Sequence, residues 1–214
     1  MSRLAIKICG LSTPETVGAA VRAGASHVGF VHFPKSPRHV EPDRIVALAA
    51  AVPDHVGRVA VLVDPTDEQL AGLVGTGVLS ALQLHGKESP QRVAAIRERF
   101  GLPAWKAISV KTRTDIDAAK AYQGAADLLL FDAKTPDGAA LPGGMGLRFD
   151  WELLRGAAPS MPWGLSGGLG TDTVCEAIRI TGAPLVDVSS GVESAPGIKS
   201  VDKITAFCKA VSAC

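Results

Sequence analysis

The chain has 214 residues, with 22 basic and 21 acidic side chains and a formal charge of +1 at neutral pH. So even a balance, with no long run of one sign, gives no basic patch for nucleic acid or an anionic membrane. Apolar residues make up 47% of the chain and aromatics only 5%, a composition suited to parallel strands buried on both faces. Cys9, Cys175, Cys208 and Cys214 lack CxxC spacing; this argues against a disulfide framework or a zinc site and predicts a reducing compartment. Met1-Ser2-Arg3 leads straight into an apolar run and no stretch reaches spanning length, so a cytoplasmic protein is expected.

The first predicted strand, 4–9, places Cys9 at its carboxyl end. Gly10 then turns the chain into Ser12-Thr13-Pro14-Glu15, a capping signal that opens a helix. Further strands are predicted at 27–32, 58–63, 79–84, 104–108, 127–131, 163–166 and 185–189. Helices are predicted at 14–23, 42–51, 67–74, 90–100, 114–123, 151–157, 173–181 and 201–212. Eight strands alternating with eight helices predict an α/β fold, a (β/α)8 TIM barrel forming a single domain over 1–214.

Active sites of such barrels lie at the carboxyl ends of the strands. The residues there are Cys9, His32 with the loop to Arg38, Asp64, His85-Gly86, Ser109, Asp132, Ser166-Gly167-Gly168 and Ser189-Ser190-Gly191. Gly167, Gly168, Ser189, Ser190 and Gly191 follow the last two strands, where glycine-rich turns present backbone N–H groups to phosphate. Asp132 closes the apolar run Leu128-Leu129-Leu130-Phe131, so desolvation is expected to keep its proton for general-acid work. The glycine-rich loop 138–146, with Gly144 in it, follows as a candidate cover over substrate. Lys7 is expected to favour a thiolate at Cys9 and to pair with Asp187 inside the barrel as structural support. Arg38, beside Pro37, is placed for a bidentate hold on a carboxylate.

Lys7-Ile8-Cys9-Gly10, Gly29-Phe30-Val31, Pro34 to Arg38, Gln83-Leu84-His85-Gly86, Asp132, Phe149-Asp150-Trp151, Leu165 to Leu169, Asp187 to Glu193 and Pro196 to Lys199 together resemble the phosphoribosylanthranilate isomerase family of tryptophan biosynthesis. The resemblance implies an Amadori rearrangement of a phosphorylated sugar-anthranilate, with no metal or organic cofactor. It implies Cys9 as general base and Asp132 as general acid. It also places the anthranilate carboxylate on Arg38, and substrate contacts at His85 and the glycine turns. A monomer or homodimer is expected. The sequence departs from the family at Met145, where a small hydroxyl residue is common, and at His32, where an aromatic is usual. Competing readings are a metal-dependent phosphosugar epimerase using His32, Asp64, His85 and Asp132, the histidine-pathway sugar isomerase, which has aspartate in place of Cys9, and a non-catalytic phosphate binder.

Overall fold

In the computed structural model, residues 4–136, 141, 143–157 and 159–214 are described. Eight parallel strands close into a barrel in chain order: β1 (Ala5–Cys9), β2 (His27–Val31), β3 (Gly57–Leu62), β4 (Ala81–Leu84), β5 (Ala104–Val110), β6 (Leu128–Ala133), β7 (Trp163–Leu165) and β8 (Leu185–Val188). β8 pairs back onto β1 with Lys7 opposite Asp187.

Strand alternation divides the apolar residues into layers. Ile6, Ile8, Val28, Phe30, Ala60 and Leu62 join the core shared with the helices. Val59, Ala81, Trp105, Leu130 and Leu185 fill the barrel floor. Cys9, Val31 and Val61 form a separate layer with Phe33. The polar groups of the site therefore sit above a dry plug.

The helices are α1 (Pro14–Arg22), α2 (Pro42–Ala49), α3 (Asp67–Val74), α4 (Pro90–Phe100), α5 (Arg113–Ala118), α6 (Val174–Thr181) and α7 (Val201–Ala213). Their starts follow the chemistry of the sequence. Thr13 caps α1 ahead of Pro14, Thr66 and Gln69 form a capping box on α3, and Ser89 caps α4 ahead of Pro90.

Two expectations are corrected. The helix predicted at 151–157 is a single 3-10 turn, Trp151–Leu154. Asp150 accepts the Glu152 amide, Arg155 turns extended, and Gly156 at φ +65° takes the chain out of helical geometry. The expectation of unbridged cysteines also fails, because Cys175 and Cys214 are joined by a disulfide. Packing of α6 against α7 brings these positions to a Cα separation of 5.2 Å although they lie 39 residues apart, a proximity that local spacing cannot reveal. After β8 comes an unpredicted short hairpin, β9 (Glu193–Ala195) with β10 (Ile198–Lys199).

Candidate active site

The carboxyl ends of the strands surround a cleft lined by Cys9, Arg38, His85 and Asp132 and by the glycine turns, the place where barrels of this kind bind their ligands. Cys9 stands on one wall, 7% exposed. Below it Lys7, fully buried, donates to both carboxylate oxygens of Asp187 at 3.0 Å. Burial opposes the Lys7 charge, but Asp187 and Cys9 together outweigh it and hold the ammonium above its ordinary pKa. Burial pushes Asp187 up in spite of Lys7.

The Cys9 thiol lies above its ordinary value. Burial pushes it up, Lys7 pulls it down and Asp187 pushes it up again. The expectation of a thiolate already favoured by Lys7 is thus corrected: Asp187 neutralises that cation, and Val31 and Val61 desolvate the sulfur.

Asp132 faces Cys9 across the mouth. It lies inside β6 rather than after it, and is 4% exposed. Its Oδ1 accepts the Ala133 amide at 2.8 Å, which leaves Oδ2 toward the cleft, 3.2 Å from His85 Nε2. His85, expected on the substrate, thus stands directly against the Asp132 carboxyl, with its other ring nitrogen 3.3 Å from Gln83 Nε2. Gly143 packs over both: a Cβ there would lie 2.7 Å from Asp132 Oδ2 and 2.9 Å from His85 Nε2. The loop expected to cover the site contributes Leu141, Gly143, Gly144, Met145 and Gly146 to the wall. Its Gly138 and Pro142 lie outside the described residues.

Arg38 is 5% exposed, and its fork is already engaged. Nε and Nη2 donate to the Glu193 carboxylate at 2.7 and 2.8 Å, and Nη2 also donates to the Gly144 carbonyl at 2.9 Å. The bidentate partner predicted from a ligand is therefore an internal carboxylate, and Nη1 is the part without an acceptor among the described residues. Glu193 also accepts from Lys199 Nζ at 2.7 Å. Burial would raise the Glu193 carboxyl, but hydrogen bonds from Arg38 and Lys199 hold it below the ordinary range. Burial lowers Lys199.

The two glycine turns close the remaining side. Gly167 and Gly168 both take positive φ, +83° and +64°, and their amides donate to no acceptor among the described residues. Such a pair of free N–H groups forms an anion-binding concavity. A Cβ at Gly191 would lie 2.0 Å from the Leu169 carbonyl oxygen, so only glycine lets the second turn approach the first. Ser189 and Ser190 line the cleft beside them, with Ser189 Oγ held by Lys199 Nζ at 3.1 Å.

Sequence reasoning gave no role to Glu193 or Lys199, because the hairpin that carries them was not anticipated. It also missed Lys106, buried in β5, which donates to Glu88 at 3.0 Å and to the carbonyls of Leu84 and Gly86. That clasp fixes the turn bearing His85. The four residues of the epimerase reading, His32, Asp64, His85 and Asp132, do not form a metal-binding group among the described residues. Asp64 instead bonds the Lys87 amide through Oδ1 at 2.7 Å. No described helix is long and apolar enough to cross a membrane.

Residues 6–210 match the family described as N-(5'phosphoribosyl)anthranilate (PRA) isomerase. The chain is 54% identical over 206 residues to N-(5'-phosphoribosyl)anthranilate isomerase of Zymomonas mobilis subsp. pomaceae, covering 96% of each chain. It is 52% identical over 205 residues to the Paramagnetospirillum magneticum protein of the same name, covering 96% of this chain and 95% of that one. The crystal structure of phosphoribosyl anthranilate isomerase from Thermotoga maritima superposes with a TM-score of 0.87 at 34% identity, covering 99% and 100% of the two chains. A phosphoribosyl anthranilate isomerase in complex with reduced 1-(o-carboxyphenylamino)-1-deoxyribulose 5-phosphate gives 0.84 at 33% identity with the same coverage.

Proposed function

The chain belongs to the N-(5'-phosphoribosyl)anthranilate isomerase family, and from that premise we propose that it converts N-(5'-phosphoribosyl)anthranilate into 1-(2-carboxyphenylamino)-1-deoxyribulose 5-phosphate in tryptophan biosynthesis, with Cys9 as base and Asp132 as acid. The observation that carries the assignment is the placement of this thiol and this carboxyl on facing walls of one cleft closed by glycine turns.

The phosphate sits on the amides of Gly167, Gly168 and Gly191 with the Ser190 hydroxyl, which anchors the sugar across the mouth. Nη1 of Arg38 takes the anthranilate carboxylate, while Glu193 keeps the guanidinium plane fixed. Asp132, held at Oδ1 by the Ala133 amide, delivers a proton from Oδ2 to the ribose ring oxygen. The bond from C1 to that oxygen breaks, and the nitrogen lone pair forms a cationic Schiff base. His85 orients the carboxyl for this transfer.

The cation acidifies the C2 hydrogen. It also adds positive charge beside Cys9, so the thiol releases its proton to water as the cation forms. The thiolate removes the C2 proton, the electrons flow to nitrogen, and the resulting enolamine tautomerises to the aminoketone. Atoms are conserved, and no electron leaves the substrate.

The reaction takes place in the cytoplasm, within one catalytic domain that works as a monomer or homodimer and without a cofactor. The test is turnover of freshly generated phosphoribosylanthranilate, followed by loss of its fluorescence with EDTA present. Wild type turns over under these conditions, and Cys9→Ser and Asp132→Asn each lose about 10²-fold or more. A well-folded wild type without turnover overturns the assignment.

A further inference from the structure

A second cluster of donor side chains lies outside the catalytic cleft, where β2 leads into α2. His32, His39 and Glu41 each offer one donor atom within 4.8 Å of the other two. They are the one group of this kind among the described residues. The backbone holds them in place. His39 forms a parallel bridge with Val31, the Val40 amide donates to the Val31 carbonyl at 2.8 Å, and Glu41 is the N-cap residue of α2.

We propose that His32, His39 and Glu41 form an accessory binding site for a divalent transition metal of the zinc class. The surrounding backbone suits that role. His32 Nδ1 lies 3.1 Å from the Val40 carbonyl, so that nitrogen carries the proton and Nε2 keeps its lone pair. A backbone carbonyl fixing the tautomer of a histidine is the usual support for a metal ligand. The His32 and His39 rings stand with centroids 5.1 Å apart, close enough to share one ion.

His39 Nε2 is 3.0 Å from the Glu41 carboxylate, and its Nδ1 is buried with no hydrogen-bond partner among the described residues. Two imidazoles and a carboxylate are a zinc donor set that leaves a fourth position for water. Ligands about 2.0–2.2 Å from one ion stand about 3.3–3.6 Å apart, a distance that rotation of Glu41, 71% exposed, can supply.

Its place in the fold gives the site a consequence. His32 and His39 bracket the loop that carries Arg38, so an ion bound there ties both ends of that loop to the start of α2. It touches no reacting atom and leaves the chemistry of Cys9 and Asp132 as described.

The experiment is a titration of chelator-stripped protein with Zn²⁺ alone, in competition with a chromophoric chelator, alongside thermal unfolding with and without the ion. Wild type binds one equivalent and unfolds at higher temperature when it is bound. His39→Gln and Glu41→Gln lose at least about tenfold in affinity together with the thermal shift. A double Cys9→Ser/Cys208→Ser variant keeps both. Glu41 is exposed, so its variant folds and the comparison holds even if the histidine substitution proves disruptive. Absence of stoichiometric binding at micromolar Zn²⁺, binding undiminished in the Glu41 variant, or binding that disappears with the cysteines overturns the proposal.

Discussion

Replacing Lys7 with methionine removes the cation from a buried pair and leaves Asp187, 4% exposed, without its partner. Breaking such a pair costs about 3–5 kcal/mol, a large part of the roughly 5–15 kcal/mol that holds a domain folded. The cost is pH-dependent. Burial already pushes the Asp187 carboxyl up, and loss of Lys7 pushes it further, so the folded protein binds a proton there that the unfolded chain releases. Stability from that proton is present in acid and is lost as pH rises through the folded pKa; the variant is therefore weaker at pH 8 than at pH 5. Lys7→Met with Asp187→Leu removes both charges and recovers stability to within about 1 kcal/mol of wild type or beyond it. Turnover does not return, because Lys7 is the main cation pulling the Cys9 thiol down. Urea denaturation at the two pH values, with turnover measured on the same samples, separates these effects. A single-variant loss below about 1 kcal/mol at both pH values, or a double variant at the wild-type rate, refutes the reasoning.

Gly167→Ala places a Cβ 2.6 Å from Asp132 Oδ1 at φ +83°, so stability falls by about 1–3 kcal/mol and kcat falls with it. Gly182→Ala, at φ +69° with nothing within 4 Å, costs about 1–2 kcal/mol and leaves the kinetics unchanged; chemical denaturation with steady-state assays compares the pair. Arg38→Lys cannot reproduce the fork on Glu193, and KM rises about tenfold or more while kcat changes less. His27 is lowered to about 4, by burial first and by Lys7 second, so the unfolded chain binds the proton that the folded one refuses. Stability is then lost as pH falls from about 6.5 to about 4, by at most about 3 kcal/mol, and His27→Gln flattens that acid limb in a pH series of denaturation curves.

The alternation of strands and helices was legible because each signal is local. A run such as Leu128 to Phe131 or a cap such as Ser89-Pro90 announces its element without reference to the rest of the chain. The inward set of Lys7 and Cys9 followed from strand period alone, and the meeting of Lys7 with Asp187 followed from barrel closure. What could not be read were facts of tertiary proximity. The carboxylate that occupies Arg38 comes from Glu193, 155 residues away, and the Cys175–Cys214 bridge requires two helices to pack first. The thiol is a third case. Lys7 beside Cys9 suggests a lowered pKa when taken as a pair, and only with Asp187 and the apolar layer counted does its direction reverse.

The cleft owes its rigidity to a repeated device. Lys7 with Asp187, Lys106 with Glu88 and Lys199 with Glu193 are three buried lysine-carboxylate pairs, each closing at 3.0 Å or less. Each stands under a different part of the mouth: the thiol wall, the turn of His85, and the hairpin that holds Arg38 and Ser189. Buried pairs of this kind contribute little net stability over apolar replacements, so their value lies in geometry. A lysine donating to several fixed oxygens, as Lys106 does to the carbonyls of Leu84, Gly86 and Ala107 and to Glu88, locks loop backbone that apolar contacts would leave free to slide. Each of the three lysines is met by a carboxylate, and Glu193 answers Arg38 as well as Lys199. In the proposed mechanism the cationic intermediate adds positive charge beside Cys9. On that proposal, a thiol that burial holds up is drawn down by the substrate's own cation, and acts as a base only while there is a proton to remove.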